Sequence, residues 1–163
     1  MYEGIKMKKR IWDKYAAFFM GAGAILLLNR YKQKKANNTK GNKYFLYYDV
    51  LNKWMKQKEQ GISVAEKLER QNIHEVAIYG MGDLGKHLVY ELTNAKITVK
   101  YAIDRSFFAV SDLDVYLPDS ELPNVDAIIV TAILDYESIR SNLEQKVFCP
   151  ILSIADLFNT IET

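Results

Sequence analysis

Cysteine and histidine are nearly missing from this chain of 163 residues. Cys149 is the only cysteine, so the sequence excludes an intrachain disulfide and gives no sign of an oxidising compartment. The two histidines, His74 and His87, do not form an H-x-x-x-H pair, and no residues at metal-ligating spacing accompany them. We therefore expect no metal site, and we expect Cys149 to be a buried structural thiol.

Several signatures of catalysis are also missing. The sequence contains no G-x-S-x-G motif and no apparent Ser/His/Asp constellation. It has no Walker A motif, because Lys86 and His87 follow Gly85 where that motif requires Gly-Lys-Ser/Thr. The length allows one domain with a modest extension, so a separate substrate domain of the dehydrogenase kind is not expected. Whether the chain catalyses any reaction stays open at this point.

Charge is divided unevenly along the chain. Residues 1–60 contain 14 basic and 4 acidic residues, a net charge of +10, while the remainder contains 8 basic and 16 acidic residues, a net charge of −8. A basic front and an acidic body indicate two separate roles. The basic residues lie beside an apolar run rather than on a groove-reading element, so we expect no nucleic-acid partner.

Residues 1–42 form the first predicted part, a basic and apolar helical extension with a linker. Its apolar stretch runs from Tyr15 to Leu28 and would span about 21 Å as a helix, less than the roughly 30 Å hydrocarbon core of a bilayer. Three interpretations remain: an interfacial or short membrane anchor, a helix buried against protein or a second copy, and a spanning helix. We expect a cytoplasmic protein with peripheral contact at the inner membrane.

Residues 43–72 form a helical lead-in to the domain that follows. A helix is predicted over 43–60, with aromatic and apolar residues at i, i+3 and i+4 spacing. This stripe predicts core packing or an interface, for example with a second copy of the chain or with a partner enzyme. Gly61 is expected to end the helix, and Ser63 to cap a short helix over 64–71.

Residues 73–163 alternate between strand and helix patterns, which predicts an α/β domain with a mostly parallel sheet of about five strands. The expected strand order is 3-2-1-4-5. Predicted strands cover residues 75–79, 97–103, 115–116, 126–131 and 147–152, and predicted helices cover 83–94, 136–145 and 154–159, with a single helical turn at 119–122.

A complete G-x-G-x-x-G motif follows the first predicted strand and opens a helix. Gly80 permits the tight turn, Gly82 lets the backbone approach a pyrophosphate, and Gly85 lets the helix pack on the strand. This context predicts a Rossmann-type nucleotide site, whose turn also includes Met81, Asp83 and Leu84. The Asp83 carboxylate suits the helix dipole but would repel a phosphate if it pointed inward.

Three polar residues are expected at the same edge of the sheet. Asp104 ends the second strand, where a carboxylate can accept from ribose hydroxyls and favours NAD. Arg105 follows it and can tolerate the 2′-phosphate of NADP, so the choice of cofactor stays open. Thr131 ends the fourth strand and is a candidate for a polar ligand contact, with a simple strand-end cap as the alternative.

With these residues placed, the chain from about Tyr44 to Phe158 resembles small Rossmann-like, NAD(P)-binding-type modules of bacterial surface (capsular) polysaccharide biosynthesis. The resemblance implies that Gly80, Gly82, Gly85 and Asp104 contact a nucleotide or nucleotide-sugar, and that the partner is a glycosyltransferase or another modifying enzyme. No Tyr-x-x-x-Lys of the sugar-nucleotide epimerase type lies within the fold, so the resemblance implies an accessory module. The matching segments read VAIYGMGDLG, VKYAIDR, VDAIIVTAI and ILSIADLF.

Overall fold

A computed structural model of the chain describes residues 43–106 and 113–159. The predicted extension over residues 1–42, with its apolar stretch, lies outside these described residues. The described residues from Phe45 onward form one compact unit. Within the described ranges, no helix is long and apolar enough to cross a membrane.

The helices and strands of the described chain follow one another nearly in the order that the sequence predicted. The first helix, α1, covers residues 43–59. The elements that follow are α2 (Val64–Glu69), β1 (Glu75–Tyr79), α3 (Asp83–Thr93), β2 (Thr98–Ile103), β3 (Asp114–Tyr116), β4 (Ala127–Val130), a 3-10 turn (Ile133–Asp135), α4 (Tyr136–Leu143), β5 (Ile151–Ser153) and α5 (Ile154–Leu157).

The five strands form one parallel sheet in the order β3-β2-β1-β4-β5, which confirms the predicted fold class and strand order. Tyr79, the last residue of β1, lies opposite Ile103 of β2 and Val130 of β4. Because these three strands end level with one another, the residues that follow them meet at one edge of the sheet. Those residues are Gly80, Asp104 and Thr131.

Alternate residues of the sheet belong to two separate cores. Val76 and Ile78 of β1 point to the face covered by α1, α2, α3 and α5, whereas Ala77 and Tyr79 point to the face covered by α4. All four β4 residues are fully buried, as expected for a strand covered on both faces. Leu84, Leu88 and Leu92, which recur at i, i+4 and i+8 along α3, are all buried in the first core.

An aromatic stack and a buried amide help to hold helix α1 on the domain. The Trp54 ring stacks on Phe158, which follows α5, with ring centroids 4.7 Å apart. The Gln57 side chain donates to the Phe158 carbonyl oxygen at 3.1 Å and accepts from Lys67 Nζ at 2.7 Å. Burial lowers the pKa of Lys67, whose ammonium also donates to the carbonyl oxygen of Leu157 at 2.6 Å.

Capping signals read from the sequence operate at the helix ends. Gly61 has φ +74° and follows the end of α1, as a glycine beyond a helix C-terminus does. Ser63 and Ser153 are the N-caps of α2 and α5, and their hydroxyls accept from the N–H groups of Ala65 and Ala155. These local bonds fix where each helix starts.

The structure corrects the prediction in two places. The single helical turn predicted between Pro118 and Pro123 is a hydrogen-bonded turn instead, closed by Ser120 N–H donating to the Leu117 carbonyl. The last strand begins at Ile151, later than predicted, because Pro150 has no N–H to contribute to a sheet ladder. The Pro150 carbonyl still accepts from Ile128 N–H at 2.9 Å, so pairing starts at the proline.

Candidate functional site

The turn after β1 is held closed by bonds to both neighbouring strands. Gly80 has φ +94°, a left-handed conformation that favours glycine. Its N–H donates to the Ile103 carbonyl at 2.8 Å, and its carbonyl accepts the Thr131 hydroxyl at 2.7 Å. A Cβ on Gly80 would lie 2.8 Å from Thr131 Oγ1, so both conformation and space require glycine here.

Gly85 is required by packing within the turn itself. A Cβ at this position would collide with the backbone carbonyl of Gly80, and the sulfur of Met81 lies 3.5 Å from the same point. Since the obstructing atom belongs to the backbone, no side-chain rotation relieves the collision. Gly85 therefore permits the close approach of α3 to β1, as the sequence predicted for the third glycine of the motif.

Gly82 differs from the other two glycines because none of the residues that the structure describes requires its lack of a side chain. It is the N-cap of α3, with φ −68° and ψ −168°, a conformation open to other residues. A Cβ placed there meets no atom within 4 Å. The space that a side chain would occupy lies in front of the N-terminus of α3.

The first turn of α3 presents backbone N–H groups to this space. The first intrahelical bond runs from Lys86 N–H to the Gly82 carbonyl at 3.0 Å, so the N–H groups before Lys86 have no acceptor inside the helix. Asp83 is exposed in the first turn, whereas Leu84 is buried in the core. The Met81 side chain is also buried in the core beneath the turn.

Asp104 connects the end of β2 to the glycine turn. Its Oδ2 accepts from Met81 N–H at 2.7 Å, and its Oδ1 accepts from Ser106 N–H at 2.8 Å. An ionised carboxylate has about four acceptor sites, so each oxygen retains one for an additional donor such as a ribose hydroxyl. Asp104 is half-buried, which leaves it accessible from the edge of the sheet.

Thr131 acts within the protein rather than toward the edge. The residue is buried, and its hydroxyl lies 2.7 Å from the Gly80 carbonyl and 3.2 Å from the Tyr79 carbonyl. A hydroxyl has a single hydrogen to donate, and here it is directed at the backbone of the turn. Of the two interpretations from the sequence, this geometry favours the strand-end cap.

A cavity of about 450 Å³ lies beside Arg105, on the side of the sheet covered by α4. Its apolar wall is formed by Tyr79, Ile139 and Leu143. Polar and connecting residues complete the lining: Arg105, Leu117, Pro118, Asp119, Asn142, Gln145 and Lys146. Among them, only Arg105 is a candidate from the sequence, because residues from α4 and from the β3–β4 connection carry no local motif.

The described residues give no support for a metal site or for a reactive cysteine. In residues 43–106 and 113–159, no three histidine, cysteine or acidic side chains are arranged to hold a metal ion. Cys149 is half-buried rather than fully buried. Burial raises the pKa of its thiol, which disfavours the reactive thiolate.

The geometry of the edge can be compared with known proteins. No protein-family model, no curated protein sequence and no solved structure matches the chain.

Proposed function

We propose that the chain binds the phosphates of a dinucleotide or nucleotide-sugar over the Gly80–Gly85 turn. The observation that carries this proposal is Gly82. Packing and backbone conformation account for Gly80 and Gly85, but a Cβ at Gly82 would meet no atom of the described residues within 4 Å. An N-cap glycine with open space at its Cβ position is what a phosphate cradle at a helix N-terminus needs.

Electrostatics support an anion at this position. Helix α3 has 11 residues, and the positive end of its dipole faces the open space at Gly82. The Asp104 carboxylate lies beside the turn and retains acceptor sites for ribose hydroxyls, which favours NAD over NADP. The remainder of the ligand extends toward the cavity beside Arg105, whose 450 Å³ is within the usual range for small-molecule sites.

The biological setting of the proposal rests on the resemblance to modules of bacterial surface-polysaccharide biosynthesis. In that setting the chain is a cytoplasmic accessory module that assists a glycosyltransferase or another sugar-modifying enzyme. Its basic front, with a net charge of +10 over residues 1–60, suits peripheral contact with an anionic inner leaflet. A fold by itself does not define a reaction, so the proposal includes no catalytic step.

Calorimetric titration of the full chain with NAD, NADP, a UDP-sugar and CoA tests the proposal. Gly82→Asp places a carboxylate where the phosphate would bind, and we expect affinity to fall at least about a hundredfold. Because aspartate is a better N-cap than glycine, the melting temperature of this variant should be unchanged or higher. Loss of binding without loss of stability would thus locate the site at Gly82.

Gly61→Asn is the matched control. Gly61 also has open space at its Cβ position, and asparagine tolerates the φ of +74° found there. This variant should bind as the wild type does. Undiminished affinity of Gly82→Asp would exclude binding at the turn, and wild-type protein that binds none of the four compounds would exclude the proposed function.

A second candidate is a Rossmann-like interaction scaffold that binds no nucleotide. The observation in its favour is that both Asp104 oxygens already accept backbone N–H groups, and that the Thr131 hydroxyl is directed at the backbone. These polar groups are satisfied without a ligand. The same titration separates the candidates, because a scaffold gives no heat with any of the four compounds.

A further inference from the structure

The helical face of the domain carries an exposed apolar patch that the nucleotide proposal does not use. We define the α1–α3 patch as Phe45, Tyr48, Leu51 and Met55 of α1 together with Tyr90 of α3. Their exposed fractions are 65%, 66%, 40%, 59% and 73%. Soluble proteins rarely leave so many large apolar side chains in one area uncovered.

Helix α1 is apolar on two sides. Val50 and Trp54 face the core of the domain and are 4% and 5% exposed. Tyr48, Leu51 and Met55 recur at i, i+3 and i+7 on the neighbouring side, where the domain does not cover them. A helix with apolar residues on two sides is typical of one packed between two bodies.

The patch has a recess as well as projecting side chains. A cavity of about 170 Å³ opens between α1 and α3, lined by Leu51, Trp54, Met55, Lys58, His87, Tyr90 and Glu91. An apolar cavity of about 150 Å³ accommodates a benzene ring. The recess therefore has room for one aromatic side chain, and Tyr48 projects from the same patch one helical turn before Leu51.

The size of the patch matches what one half of a dimer interface needs. At the exposed fractions given above, the five side chains of the patch together present roughly 700 Å² of surface. The largest patch of a typical monomer is about 300–600 Å², and a stable interface buries about 800 Å² per partner. A surface with both a projecting tyrosine and a recess can pair with itself.

Charges around the patch favour protein over a lipid surface. Lys58 pairs with Glu91 at 3.1 Å, and Lys53 pairs with Asp49 at 2.8 Å. These lysines are neutralised within the domain and contribute no surplus positive charge toward anionic headgroups. An apolar face whose flanking Lys53 and Lys58 are paired with carboxylates fits a second copy of the same face, because these two pairs present little charge to repel it.

We infer that the chain forms a two-fold symmetric dimer through the α1–α3 patch, with the two α1 helices antiparallel and Leu51 on the dyad. At 1.5 Å per residue, Tyr48 lies about 4.5 Å from Leu51 along α1. The dyad therefore brings Tyr48 of the partner subunit level with residue 54, which is the floor of the recess. Each subunit thus inserts its Tyr48 into the recess of the other. Formation of this dimer does not require a bound nucleotide.

Sedimentation equilibrium of the full chain over a wide concentration range tests the dimer. We expect wild-type protein to be a dimer at micromolar concentration, and Tyr48→Glu and Leu51→Glu each to raise the dissociation constant at least about a hundredfold. Both residues are exposed, so circular dichroism should show unchanged folding. Leu134→Glu changes a leucine of similar exposure, 46%, in the 3-10 turn and should remain dimeric.

A self-crosslink tests the position of the dyad. Leu51→Cys should form a covalent dimer rapidly on mild oxidation, because the two cysteines lie on the same axis. Leu134→Cys, and the wild type with only Cys149, should stay largely monomeric on denaturing gels. A monomeric wild type, a dimer that survives Leu51→Glu, or equal crosslinking at residues 51 and 134 would each overturn the inference, whether or not nucleotide binds.

Discussion

Asp104 Oδ2 accepts a hydrogen bond from the backbone N–H of Met81 at 2.7 Å. This bond spans two elements, because Asp104 follows β2 and Met81 belongs to the turn after β1. Together with the bond from Gly80 N–H to the Ile103 carbonyl, it fastens the glycine turn to the end of β2. The carboxylate thus prepares the turn before any ligand arrives.

Removal of this carboxylate should loosen the turn. Asp104→Ala leaves the N–H groups of Met81 and Ser106 without their acceptors, and we expect the free energy of unfolding to fall by about 1.5–3 kcal/mol. Asp104→Asn keeps one side-chain oxygen and should lose less. Urea denaturation followed by circular dichroism measures both, and equal stability of Asp104→Ala and wild type would contradict a role in fastening the turn.

Alanine at the second and third glycines of the motif should reduce the stability of the fold by different amounts. Gly85→Ala forces Cβ against the Gly80 carbonyl, so we expect a loss of about 1–3 kcal/mol although alanine is the better helix former by about 1 kcal/mol. Gly82→Ala meets no atom and should cost at most about 1 kcal/mol, as an N-cap change. Thermal unfolding of the two variants compares them directly, and similar melting temperatures would refute the packing role of Gly85.

Glu91 joins three helices, and its loss should destabilise the helical layer. Its carboxylate accepts from Trp54 Nε1 at 2.7 Å and from Val64 N–H at 3.2 Å, and its side chain is 9% exposed. Glu91→Ala leaves both donors without this acceptor, for which we expect a loss of about 2–4 kcal/mol in chemical denaturation. The exposed Glu144, the C-cap residue of α4, provides the control, since Glu144→Ala should change stability little.

The Asp126 carboxylate should make the free energy of unfolding depend on pH. Backbone N–H groups of His74 and Glu75 donate to its carboxylate, each at 2.8 Å, and they lower its pKa below the ordinary value of 3.8. The folded state therefore favours the ionised form. Its stabilisation is complete above the unfolded pKa and is lost as pH falls below about 4 through the folded pKa.

Asp126→Asn removes this titration. Melting temperatures measured between neutral pH and about pH 2 should converge for wild type and variant at the acid end, with the wild type more stable above about pH 5. A constant difference between the two proteins across that range would mean that Asp126 does not contribute through its charge.

Local patterns in the sequence were sufficient for the sheet and for the positions of several residues of the candidate site. Alternating strand and helix signals give the order 3-2-1-4-5, and the leucines of α3 predict its buried face. The glycine motif, placed between a strand and a helix, locates the turn, and strand ends place Asp104 and Thr131 beside it. These predictions succeed because the period of a helix or strand and the conformation of a turn depend on neighbouring residues.

Tertiary structure decided which hydrogen bonds each polar group makes and which glycines the packing requires. The Thr131 hydroxyl donates to the Gly80 carbonyl. The same carbonyl leaves no room for a Cβ at residue 85, whereas a Cβ at Gly82 would meet no atom of the described residues within 4 Å. The cavity beside Arg105 and the exposed side of α1 likewise depend on elements far apart in the chain. The period of a sequence pattern shows which residues share a face. The element that packs against that face, and the group to which a hydroxyl donates, depend on distances that exist only after the elements have packed.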